Sequence, residues 1–200
     1  ASENDKAEIK AAIARARQKL KAIDFWLRYF EPIAYKKVNG PLPVEWENEV
    51  FEKYEPPYKR DGSGLTLAEL YLEEEHFSKD SLARLIQLSI EAVKVFHEDS
   101  ITSQLKTHHH FFLCNRLYLL NLAAIYTTAF ECPETNNVIP ELRAMLADVK
   151  ELYLNYNRAF TTYPVTNEYF TLYNKTIAFT LNQPSDFTQF DHYTFIKDYI

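Results

Sequence analysis

Apolar residues recur along most of this chain three and four positions apart, the period of helices that bury one side. In the first segment Ile9, Ile13, Ala16, Leu20, Ile23, Leu27 and Phe30 alternate in this way, with Lys and Arg opposite them. That spacing predicts an outer bundle helix packed at a shallow angle on a neighbour, bent or ended by Pro32. The repeat is short for a dimerising coiled coil.

Residues 36–64 form the least regular stretch. Asn39-Gly40-Pro41-Leu42-Pro43 is a turn signal, and Trp46, Val50, Phe51 and Tyr54 fit a short helix that Pro56-Pro57 ends. Lys59 to Gly64 reads as an exposed loop, so the whole insertion is expected to lie across the bundle. Thr66-Leu67-Ala68-Glu69 matches a capping box, so a helix is expected to start there and run to the acidic Glu73-Glu74-Glu75-His76. Consecutive carboxylates on a helix diverge, which makes this cluster a solvated face. Asp80 or Ser81 caps the next helix, with Leu82, Leu85, Ile86, Val93 and Phe96 inward.

Phe111 to Phe130 is apolar almost all round, which predicts the most buried helix of the fold. Its length would also suit a membrane span, but Arg116 in the run, near Asn115 and Asn121, is costly in lipid. We read it as the central helix of a soluble bundle with no membrane span. Glu131-Cys132-Pro133 closes it, and Pro140 suits the first helical position of the next element. Leu142, Leu146, Val149, Tyr153, Tyr156 and Phe160 line one side of that helix. Thr166 caps a further one carrying Phe170, Tyr173 and Ile177. After a break at Gln183-Pro184, Ser185 or Asp186 starts a last helix with Phe187, Phe190, Tyr193 and Ile200. No strand pattern or internal repeat is visible. The expectation is a single all-α domain over residues 1–200, about six or seven helices around a buried central one, with one long irregular loop. The pattern stops in mid-stride at Ile200, as in a fragment of a longer chain.

Composition narrows the function classes. A net charge of −6 without basic clusters argues against nucleic acid as a partner. Three glycines, Gly40, Gly62 and Gly64, make no phosphate-cradling loop. Fourteen Tyr and fourteen Phe imply large rings between helices, and each buried phenol requires a hydrogen-bond partner. Cys114 and Cys132 would lie roughly 27 Å apart along one helix, too far for a disulfide. The chain opens on a polar run with no signal peptide.

Candidate chemistry is sparse. His108-His109-His110 diverge around a helix and cannot close on one metal. His110 with Cys114 has i,i+4 geometry and offers two ligands, but zinc needs at least one more. Cys114 is expected to be an inert small hydrophobe rather than a nucleophile with His110 as base. Arg116 requires a carboxylate if it crosses apolar surroundings, and Glu69, Asp148 and Asp191 are the candidates; binding of an anionic ligand is the other possibility. Cys-x-x-Cys-His, His-Glu-x-x-His and Gly-x-Ser-x-Gly are absent, and Glu-x-x-His occurs once, at Glu73 and His76. No catalytic, cofactor-binding or metal residue is assigned.

Three stretches together carry a resemblance: GPLPVEWENEVFEKYE from Gly40, FFLCNRLYLLNLAAIYTTAFECP from Phe111, and QPSDFTQFDHYTFIKDY from Gln183. They resemble the helical N-terminal region that precedes the haem domains in a group of bacterial di-haem cytochrome c peroxidases. The resemblance implies a non-catalytic module that packs on or orients those domains. It also implies a periplasmic setting, and haem c carried by the parent oxidoreductase and not by this chain. The partners would be the haem domains and a small redox protein. A second likeness is to imelysin-type helical proteins that bind a ligand or metal; the Gly-x-His-x-x-Glu motif associated with them is absent.

Overall fold

The computed structural model describes residues 3–40, 44–45, 59–128 and 135–200. It is an all-α bundle. Among these residues the α-helices are α1 (Glu3–Lys21), α2 (Asp24–Phe30), α3 (Pro32–Val38), α4 (Gly64–Leu72), α5 (Lys79–Lys94), α6 (Asp99–Thr102), α7 (His108–Thr128), α8 (Thr135–Ala159), α9 (Asn167–Asn182) and α10 (His192–Tyr199). Val44–Glu45 and Lys59–Arg60 form a two-residue antiparallel pair, β1 and β2, that the helical reading did not include. The short helix expected around Trp46 to Tyr54, and Cys132 with its flanking residues, lie outside the described residues.

The first predicted helix is three. It stops at Lys21, turns through Ala22 and Ile23, and resumes as α2; Pro32 then opens α3 at its first turn instead of ending a helix. A proline is at ease there because its missing N–H has no intrahelical acceptor. The break lets Phe25 enter the main core while Ile23 is left exposed. On α1 the inward stripe is Ile13, Arg17 and Leu20, so a basic residue stands where Ala16 was expected.

α4 starts at Gly64, two residues before the predicted cap. Gly64 has φ +66°, and a Cβ there would lie 2.5 Å from the Val38 carbonyl oxygen, so close backbone approach requires glycine. Thr66 is therefore inside the helix and buried, and not a cap. α5 is capped by Ser78, whose Oγ accepts from the Ser81 amide at 3.3 Å; Leu82, Ser89 and Ala92 face inward while Val93 is exposed. The acidic cluster from Glu73 to His76 lies in the turn after α4 and not on the helix as expected, but it is solvent-facing as expected, with Glu73 paired with Lys10 at 2.8 Å.

Among the described residues α8, not α7, is the most buried element. Val138, Ile139, Leu142, Met145, Leu146, Val149, Tyr153 and Tyr156 all lie inside it. Pro140 sits within the helix, five residues after Thr135, and not at its start. Between residues 108 and 124, where burial is described, α7 buries the stripe Phe111, Cys114, Tyr118 and Leu122, spaced three, four and four. The same core takes in Phe25, Tyr173, Phe190 and Phe195. Thr166 caps α9 as predicted, its hydroxyl accepting from the Tyr169 amide at 3.3 Å. At the other end Arg143 of α8 binds the carbonyls of Thr180 at 2.9 Å and Gln183 at 2.6 Å, satisfying groups that a helix end leaves open. The last helix begins later than predicted, at His192, because Asp186 folds a local turn onto Thr188 and Asp191 supplies the cap, accepting from the Thr194 amide at 2.9 Å.

Candidate functional site

Among the described residues the buried arginine is Arg17. It is 0 % exposed, and its guanidinium is surrounded: Nε lies 2.9 Å from Glu141 Oε1 and 3.4 Å from Glu69 Oε2. Its Nη1 donates to Thr66 Oγ1 at 2.9 Å and Asn39 Oδ1 at 3.2 Å. Asn137 donates to Glu69 at 3.3 Å, and buried Lys21 and Asp24 stand 3.6 Å apart in the same helix-to-helix seam. One cation thus ties α1 to α4, α8 and the end of α3. A planar fork with several donors suits that task in a way an ammonium does not.

Arg116, which the sequence reading placed in an ion pair, is exposed. Each carboxylate proposed for it is engaged elsewhere: Glu69 with Arg17, Asp148 with Lys19 at 3.0 Å, and Asp191 at the α10 cap. The reason is the face it occupies. Arg116 shares the outer side of α7 with Phe112 (41 % exposed), Leu113 (37 %) and Leu120 (62 %), turned from the core that α8 and α2 build.

The tyrosines form the second polar arrangement. Tyr173 donates to the Leu146 carbonyl at 3.0 Å, so the 2.6 Å bond between the Tyr118 and Tyr173 hydroxyls has Tyr118 as donor. Tyr153 donates to Asn115 Oδ1, which makes Tyr169 the donor in its 3.1 Å bond to Tyr153. Burial pushes Tyr118, Tyr153 and Tyr173 well above the usual phenol range. The expectation of a hydrogen-bonded phenolic interior holds for this cluster.

At the head of α7, His108 stacks on Tyr163 with ring centres 4.4 Å apart, and His108 and His109 are exposed. His110 Nδ1 is 2.8 Å from the Tyr29 hydroxyl. Cys114 is fully buried and burial pushes its thiol up to about 12, which disfavours the thiolate at neutral pH. Among the described residues no three His, Cys, Asp or Glu side chains are grouped to hold a metal ion, and no helix is long and apolar enough to cross a membrane. An apolar pocket of about 270 Å³ lies among α2, α8 and the segment from Phe96 to Ile101, lined by Ile23, Trp26, Leu27, Phe30, Phe96, Ile101 and Leu152.

Arg17 was legible in principle. It sits four residues after Ile13 and three before Leu20, inside the apolar stripe, whereas Tyr29 and His110, 81 positions apart, have no local signal linking them. Comparisons with protein-family models, curated proteins and solved structures found no match to this chain.

Proposed function

We propose that this chain is a non-catalytic helical module that packs against the haem domains of a periplasmic di-haem cytochrome c peroxidase. The outer face of α7 carries the reading. Phe112, Leu113 and Leu120 are large, apolar and exposed on a helix whose sequence is apolar almost all round. A helix with that composition is normally covered on most sides, and a protein surface would cover this one, with Arg116 among the apolar residues as an interface anchor. The sequence resemblance names the partner. Covalent haem c does not fit this chain itself, because its two cysteines, Cys114 and Cys132, are far apart in sequence and Cys114 is buried. The haem chemistry therefore belongs to the partner domains, and this chain positions them.

The test is sedimentation of the purified chain with separately produced di-haem modules of such a peroxidase. A complex at micromolar concentration that Leu113→Asp with Leu120→Asp abolishes is the expected result. Absence of any complex would refute the reading.

A further inference from the structure

Tyr29 differs from Tyr118, Tyr153, Tyr156, Tyr169 and Tyr173 in what its hydroxyl faces. Tyr173 ends on a backbone carbonyl, Tyr153 on an amide, Tyr156 on the Tyr163 carbonyl at 3.0 Å, and Tyr118 and Tyr169 on other phenols. None of those groups takes up a proton near neutral pH. Tyr35 meets the Asp24 carboxylate only at 3.5 Å, where Lys21 also draws on it. The Tyr29 hydroxyl stands 2.8 Å from His110 Nδ1, an imidazole nitrogen whose lone pair can accept a hydrogen bond or a proton.

That pairing matters for oxidation. Removing an electron from a phenol makes its proton strongly acidic, and the step becomes accessible where a hydrogen-bonded base receives that proton. The surroundings supply a route inward. Trp26 is three residues before Tyr29 on α2, hence on the same helical face. The Phe30 ring lies 5.0 Å from Tyr29 and 6.4 Å from Trp26, centre to centre. Trp26 and Phe30 also form part of the wall of the apolar pocket, which exposes this ring set to an approaching reagent.

We infer that Tyr29 and His110 form a proton-coupled one-electron oxidation site. A one-electron oxidant takes an electron from Tyr29, directly or through Trp26. The phenolic O–H bond breaks, its proton passes to His110 Nδ1, and a neutral tyrosyl radical remains hydrogen-bonded to the imidazolium. The oxidant is reduced by one electron, and a later one-electron donor reverses both transfers. The tautomer required carries its resting proton on Nε2. That the natural oxidant is a peroxide-oxidised haem rests on the function proposed above; the site itself does not.

The experiment accordingly uses photogenerated ruthenium(III) tris-bipyridine on the purified chain, whether or not it docks on haem domains. Freeze-trapped wild-type protein should show a tyrosyl electron paramagnetic resonance spectrum with coupling to nitrogen-labelled histidine. Tyr29→Phe should remove that spectrum, and His110→Gln should slow its formation roughly a hundredfold, the scale of a lost proton acceptor. An undiminished radical in Tyr29→Phe, or an unslowed one in His110→Gln, overturns the proposal. Should either variant fail to fold, the labelled wild-type protein decides alone: histidine coupling supports the site and its absence overturns it.

Discussion

Two buried polar regions tie the helices together, one with charges and one with neutral hydroxyls. In the α1–α4–α8 seam, Arg17 meets Glu69 and Glu141 out of contact with water. In the α7–α8–α9 cluster, Tyr118 donates a hydrogen bond to Tyr173 and Tyr169 to Tyr153, and these two donate in turn to the Leu146 carbonyl and the Asn115 amide oxygen. Both regions are hydrogen-bonded, yet their tolerance of damage differs. Tyr173 without Tyr118 retains its bond to the Leu146 carbonyl, and Tyr153 without Tyr169 retains its bond to Asn115. A carboxylate that loses Arg17 is a stranded charge, and the desolvation of ions is far more costly than that of hydroxyls.

The largest effect is therefore expected at Arg17. Arg17→Met should destabilise the domain by about 3–5 kcal/mol, the usual cost of breaking a buried ion pair from one side. Adding Glu69→Leu and Glu141→Leu should restore much of it, as measured by urea unfolding. A triple variant no more stable than Arg17→Met would show that the seam supplies more than mutual charge compensation.

Alkaline pH should act through the other region. Tyr118, Tyr153 and Tyr173 are raised chiefly by burial; neighbouring phenols raise Tyr118 and Tyr153 further, while the hydrogen bond from Tyr118 partly offsets the rise of Tyr173. Above about pH 10 the unfolded chain gives up phenolic protons that the folded one keeps, so stability falls as pH rises. Their contribution is complete below about pH 10 and lost progressively above it. Urea midpoints should drop on that limb, and Tyr118→Phe with Tyr173→Phe should flatten the drop. An unchanged limb in that double variant would detach alkaline sensitivity from the cluster.

Tyr118→Phe at neutral pH is a milder probe. Tyr173 keeps its bond to the Leu146 carbonyl, so the cost should be about 1 kcal/mol, one ordinary hydrogen bond. A loss as large as that of Arg17→Met would erase the contrast between the regions.

The smallest effect belongs to Arg116→Met. On the exposed face of α7 it should shift stability by less than about 0.5 kcal/mol, while weakening, in the sedimentation assay, the association with haem domains that we propose. A large loss of stability would return Arg116 to the structural role that its sequence setting first implied.

What the chain determined by itself is local. The three-and-four spacing specified an all-α fold, the α9 cap at Thr166 and the inward side of α8 from Leu142 to Tyr156, because helix periodicity and capping depend on residues within a turn or two. The acidic face at Glu73 and the inert Cys114 were legible for the same reason. Tertiary packing decided the rest. It cut the first helix at Ala22–Ile23, put Thr66 and Glu69 to work on Arg17 instead of a cap, and turned one apolar side of α7 outward. Arg17 finds Glu141 across 124 positions and Tyr29 finds His110 across 81. Periodicity says that a face is covered but not by which partner, and a charge is tolerated inside only where the fold brings its counter-charge to it.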